Sequence, residues 1–321
     1  MKRDVIFNFL LEVLEKKIPD KAKLTETLMD ILFMEKGAVN RRLRGEVPFS
    51  FYEVVNIAEK LNLSLDNLIT LKSEWIDSFV VDLAGFDANI WKDYLAFVRL
   101  AKEDPNSEFT DSTNLLPTTI YYKFGLLYKF AIFKYHYLLT RTEIRKPFRD
   151  IRIPENLSWI SDSYYKESKY FAKTTYICDH AMIDNLITDI NYFSGINLIS
   201  ADDILQIKDE LFALLDYFEK IALDGCFEES GKPVDIYISD INLDANYCYI
   251  QIHDKYLSVI RTFYINAIMA RDRHSFDKIK SWVQSLIKTS TLISRSAAVH
   301  RAEFFDTQRK LVSSIHAGNP F

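Results

Sequence analysis

The chain has 321 residues, 48% of them hydrophobic, with eight glycines, eight prolines and a formal net charge of −5. That length holds two domains with real cores, and so little Gly and Pro argues against a sandwich or barrel, which spend both in turns. The three cysteines, Cys178, Cys226 and Cys248, lack CxxC or CxxH spacing; they exclude a disulfide framework, speak against zinc and read as buried thiols in a reducing compartment.

Lys2, Arg3 and Asp4 lead into an amphipathic helix at about Arg3 to Lys17, a start unlike a signal peptide. Val5, Ile6 or Phe7, Phe9, Leu10, Val13 and Leu14 line one side of it, and Pro19 and Asp20 end it. A second helix is expected from about Ala22 to Leu32, then a tight connection at Phe33-Met34, then a short third helix to Arg44. Gly45 is placed to take the left-handed conformation that closes a helix. Pro48 delays the next one, which Ser50 opens with Glu53 three residues later, a capping box. Its apolar positions are Val54, Val55, Ala58 and Leu61, and Ser64 and Asn67 cap a fifth helix. The five form one domain over residues 1–72.

From residue 73 onward the pattern lengthens, with helices expected at about 74–103, 114–141, 158–193, 200–224, 255–271, 275–293 and 297–316. Ser200 with Asp203 marks one start. Val234 to Ile252 alternates around a polar NLDAN and reads as a β-hairpin, with two short helix ends as the alternative. The expected fold class is therefore mainly α: a five-helix domain, then a large all-helical domain over 73–321 with one hairpin at 234–252. No repeat near ~34 residues persists, so a helical solenoid has no support. The most membrane-like stretch, Tyr121 to Leu139, is broken by Lys123, Lys129, Lys134 and His136; it fails the test of about 20 uninterrupted apolar residues. A soluble, cytoplasmic protein is expected.

Charge is uneven. Residues 1–72 carry 12 Lys/Arg against 11 Asp/Glu, and the remainder 28 against 34. Between Lys36 and Arg44 no acid intervenes, so the third helix is a local cationic face on an acidic protein. Phosphate contacts are local, so such a face can bind DNA while the acidic whole disfavours non-specific binding. A solvated face is the plain alternative.

The order of the arginine helix, Arg44-Gly45-Glu46-Val47-Pro48, Ile57-Ala58-Glu59-Lys60-Leu61 and Ser64-Leu65-Asp66-Asn67-Leu68 resembles the Cro/CI-like (Xre) helix-turn-helix family of prokaryotic repressors over roughly residues 5–70. The resemblance implies a λ-repressor-like domain whose third helix, about 35–44, lies in the major groove of double-stranded DNA. Val39 and Leu43, with Ala38, then face the core, and Lys36, Asn40, Arg41 and Arg44 point away. Arg41 falls where family members read base edges, and its guanidinium can bond guanine at two points. Asn40 pairs with adenine or covers the backbone, and Lys36 reaches a base or a phosphate. Arg42 and Arg44 are expected on phosphates. Thr25, at the start of the second helix, matches a position touching the DNA backbone, with Ser50 and Tyr52 expected to do likewise. Two departures stand out: Met29 and Phe33 occupy positions where the family has a small residue and a turn glycine, and Glu35, then Gly37, replace a Ser/Thr cap.

Enzyme motifs are absent: no Gly-rich phosphate loop, GxSxG or HExxH, and none of the six histidines stands at ligand spacing with another. No enzyme activity, cofactor or metal is expected. Aromatics crowd two stretches, Tyr121, Tyr122, Phe124, Tyr128, Phe130, Phe133, Tyr135 and Tyr137, then Tyr164, Tyr165, Tyr170, Phe171 and Tyr176. They read as a large core or as a concave pocket for a peptide or small-molecule effector. The C-terminal stretch, Leu292-Ile293 through Phe304, Phe305, Leu311, Val312 and Ile315, supplies a dimer interface or closes the core. The expectation is a homodimeric DNA-binding transcriptional regulator without a membrane partner. Its rival is a protein-interaction scaffold whose helix-turn-helix no longer binds DNA.

Overall fold

The computed structural model describes residues 3–61, 63, 80–82, 88–139, 146–261 and 267–315. The chain divides into two compact units, Met1–Ser78 and Phe79–Phe321.

Four short helices build the described part of the first unit: α1 (Arg3–Lys17), α2 (Lys21–Leu32), α3 (Lys36–Leu43) and α4 (Phe51–Lys60). Their starts follow side-chain chemistry. Asp20 opens α2 by accepting from the Ala22 and Lys23 amides at 2.8 and 3.2 Å. Ser50 and Glu53 form the capping box that their spacing predicts at α4. Gly45 takes φ +72° just past α3, as expected of a helix-closing glycine. Leu10, Leu14, Leu24, Leu28, Leu32, Val39 and Ile57 make the core. The expected fifth helix, from Ser64, lies outside the described residues.

The second unit overturns the mainly-α, all-helical expectation. It contains an eight-stranded mixed sheet in the order β1-β7-β6-β5-β2-β3-β4-β8, which makes this an α/β fold. The strands are β1 (Val80–Asp82), β2 (Glu108–Thr113), β3 (Lys173–Asp179), β4 (Val234–Ser239), β5 (Asn246–Ile252), β6 (Lys255–Arg261), β7 (Ala267–Ala270) and β8 (Ser290–Leu292). β2, β3 and β4 run parallel, and every other pairing is antiparallel. Parallel neighbours need long crossovers. A turn at Thr118–Tyr121 with two helices, Gly125–Leu139 and Glu155–Glu167, links β2 to β3. The helices Asp184–Gly195 and Ala201–Asp224 link β3 to β4.

The misreading has a physical cause. Side chains on both faces of the central strand β3 are buried, so it lacks the in-out alternation that identifies a half-exposed strand. Every residue of β3 after Lys173 is buried. Tyr176 and Cys178 enter the larger core under the helices, whereas Ile177 enters a second cluster with Leu243, Tyr249 and Phe276. The helix Arg273–Leu286 covers that second face through Phe276, Val283 and Leu286.

Four expected helices therefore contain strands. The 158–193 helix is two helices separated by β3, the 255–271 helix is β6 and β7, and the 74–103 helix contains β1 ahead of a helix at Ala88–Arg99. The 275–293 helix gives way to β8 at its end. The 234–252 hairpin is corrected too: β4 and β5 are strands but do not pair with each other, since β4 lies between β3 and β8 and β5 between β2 and β6. The hairpin is β5–β6, turning at His253-Asp254 with His253 at φ +53°. The helix Ala201–Asp224 stands where expected, with Ser200 and Asp203 as its capping box.

Tyr121, Tyr122, Tyr128, Phe130, Phe133, Tyr164 and Tyr176 are buried in the larger core. Phe304, Phe305 and Val312, on the helix Ala298–Ser313, are buried in the same core, and Phe305 meets Phe218 edge to face. Beneath the helices Asp111 on β2 meets Arg261 on β6 at 3.2 Å, across the intervening β5. Its carboxylate is wholly buried and the guanidinium nearly so. Burial pushes the Asp111 carboxyl upward, against the pull of the Arg261 charge and hydrogen bond. Cys178 and Cys248 are buried free thiols and Cys226 a half-buried one. Among the described residues there is no cluster of metal-ligating side chains and no helix long and apolar enough to cross a membrane.

Candidate nucleic-acid interface

The third helix is fixed in its unit from one side. Val39 is fully buried among Leu24, Leu28 and Ile57, and Leu43, one turn on, packs against the same cluster. With those two inward, Arg41 lies on the opposite side by helical spacing and Asn40 and Arg44 on the flank, whereas Lys36, three residues before Val39, stands nearer the inward side at the first turn. Lys36, Arg41 and Arg44 are exposed and Asn40 half-buried. Gly37 lies on the exposed part of the first turn, and a Cβ there would meet nothing within 4 Å. Glu35 stands at the cap position of α3 and makes no side-chain capping bond.

Arg42 turns the other way. Its Nε and Nη2 donate to the two carboxylate oxygens of Glu53 at 3.0 and 2.8 Å. This two-point pair leaves the Arg42 side chain 17% and the Glu53 side chain 10% exposed. Glu53 also accepts from the Ser50 amide at 2.8 Å. One carboxylate thus closes the start of α4 and ties it to α3. Burial alone would raise the Glu53 carboxyl, but the hydrogen bonds from Arg42 and Ser50 and the Arg42 charge outweigh it and hold the carboxyl below the usual glutamate range.

Arg44 is engaged by a loop acid. Its Nε donates to Glu46 Oε1 at 2.6 Å and its Nη2 to Oε2 at 3.3 Å, while Arg41 Nε stands 3.7 Å from the same carboxylate. The Arg44 bond, the first cause, and the two arginine charges hold the Glu46 carboxyl low. Both arginine side chains stay about 60% exposed. Exposed pairs of this kind are weak and screened by salt, so a phosphate can take the place of Glu46.

The remaining expected contacts are placed differently. Thr25 is buried, and its hydroxyl donates to the Lys21 carbonyl at 2.9 Å. The Ser50 hydroxyl accepts from the Glu53 amide as a helix cap. Tyr52 is exposed. Sequence reasoning took Glu53 as a capping residue only and gave Glu46 no role. Neither the eleven-residue separation of Arg42 and Glu53 nor the left-handed turn at Gly45 that precedes Glu46 has a periodic signature that would announce these pairs.

No curated protein and no solved structure matches the chain. Residues 3–80 match the BetR domain, a family of small DNA-binding domains of the helix-turn-helix type, and with that match the exposed cationic side of α3 takes its place in a DNA-binding regulatory unit.

Proposed function

We propose that this chain is a cytoplasmic, sequence-specific transcriptional regulator of the Cro/CI-like kind, working on double-stranded DNA as a homodimer. The observation that carries the reading is the set Lys36, Arg41 and Arg44, all exposed on or just after α3 inside a segment that matches a helix-turn-helix family. In this reading α3 enters the major groove, Arg41 bonds a guanine edge and Arg44 exchanges Glu46 for a phosphate. Asn40 and Lys36 add base or backbone contacts, and Tyr52 reaches the backbone. Arg42 acts through Glu53, holding α3 at a fixed angle to α4. The second unit serves dimerisation, so that two heads reach half-sites about 34 Å apart, and senses a peptide or small-molecule effector. The chemistry is selective affinity, with no covalent step.

One observation favours a rival, a protein-interaction scaffold with a helix-turn-helix that no longer binds DNA: each of the three arginines already faces an acid of its own unit. Selection from a random duplex library by the full-length protein separates the two. Enrichment of a two-half-site sequence is expected. Arg41→Ala should relax one position of it by about 1–3 kcal/mol, and Arg44→Ala should weaken all sequences alike and flatten the salt dependence. A parent protein that enriches nothing at moderate salt would leave the scaffold; arginine variants that bind every sequence as an enriching parent does would overturn the groove assignment of α3.

A further inference from the structure

Phe33, which joins α2 to α3, is the most exposed large apolar side chain among the described residues, at 94% accessibility. Its backbone is left-handed, φ 51° and ψ 47°, a conformation that strains a bulky residue. Both features work against the fold, because the ring gains nothing from burial and the backbone would relax with glycine. The neighbours do otherwise: Met29, Ile31 and Met34 pack against the core of this unit, and Phe33 has no part in it. Strain and exposure kept together at one residue call for a partner outside the fold.

The position of Phe33 suggests which partner. The ring stands three residues ahead of Lys36, at the N-terminal end of α3, the end from which a recognition helix reads base edges. Four residues on, the first turn of α3 is bare at Gly37. A hydrocarbon ring offers no hydrogen bond, and the one apolar group that the major groove displays is the 5-methyl of thymine. We propose that Phe33 is a specificity-determining residue whose ring packs on a thymine methyl of the bound site. This rests on the DNA-binding reading above.

The test takes the full-length protein and the duplex it enriches, and replaces each thymine in turn by deoxyuridine, which removes a single methyl group. At one position per half-site the parent should lose about fourfold in affinity, the worth of one buried methyl. Phe33→Gly and Phe33→Asn both suit the left-handed backbone, so both should fold with an unchanged or higher Tm and be indifferent to that methyl. A parent that binds its enriched site equally well with every thymine replaced overturns the assignment and leaves the DNA reading intact. Variants that keep the parent's uracil sensitivity overturn it too, as would a changed sedimentation mass with the methyl effect unmoved, since the ring would then serve self-association. If the parent enriches no sequence, the DNA reading falls and Phe33 with it.

Discussion

In the first unit three aromatic rings, Phe33, Phe51 and Tyr52, stand between 74 and 94% exposed, and two arginines of α3 reach into solvent. The second unit buries many of the same residue types, although Trp159, Tyr192 and Trp282 stay about half exposed. Tyr121, Tyr122, Tyr128, Tyr164 and Tyr176 are buried, and an arginine–aspartate pair lies beneath helices. Burial has consequences there: Tyr122, held off solvent, is pushed up to about 12, and the Tyr94 and Tyr164 hydroxyls meet each other at 3.2 Å. A tyrosine that is buried and bonded serves the fold it sits in. A ring or guanidinium left on the surface is available to something else, which is why the functional argument rests on the smaller unit and the stability argument on the larger.

That contrast can be broken in order of expected size. Asp111→Ala leaves Arg261 buried without its carboxylate and should cost about 3–5 kcal/mol of unfolding free energy in a urea titration; a loss below 1 kcal/mol would mean that water already serves the pair. Arg42→Ala unties α3 from α4 and should cost about 1–3 kcal/mol. Because the Glu53 carboxyl is held low in the folded state, the stability it contributes is present above the usual glutamate pKa of about 4.3. It is lost as the pH falls through the lower folded value. The Arg42→Ala variant should therefore show a flatter stability profile below about pH 5 than the parent, measured by thermal unfolding. The smallest effect belongs to the exposed face. Glu46→Gln releases Arg41 and Arg44 and should tighten binding to random duplex by about two- to fivefold at low salt, with the gain vanishing as salt rises. An unchanged affinity would mean that Glu46 does not compete with phosphate.

The sequence was most informative where one residue decides a local structure. Ser50 with Glu53, Ser200 with Asp203 and Gly45 announce their helix ends because each acts on amides or dihedrals within four residues. The sheet escaped because β3, β6 and β7 are read only by what lies across from them. Thr174 to Asp179 is buried on both sides and has no alternation to count. β4 and β5 were visible as strands, but pairing is a long-range property: β5 joins β2 across more than a hundred residues of chain. In the candidate site, the outward direction of Arg41 follows from helical spacing opposite Val39 and Leu43, whereas Lys36, which spacing puts near the inward side, is exposed at the first turn. The acids that hold Arg42 and Arg44 could not be read, since Glu53 sits on the next helix and Glu46 beyond a glycine turn.

The sheet also ends in an instructive way. Its two outermost strands, β1 and β8, are three residues each, against seven for β5 and β6 near the middle. A border so brief has few amide and carbonyl groups to offer a passing strand, so it makes a poor template for edge-to-edge growth. Among the described residues, the borders of this sheet thus offer little for another strand to pair with.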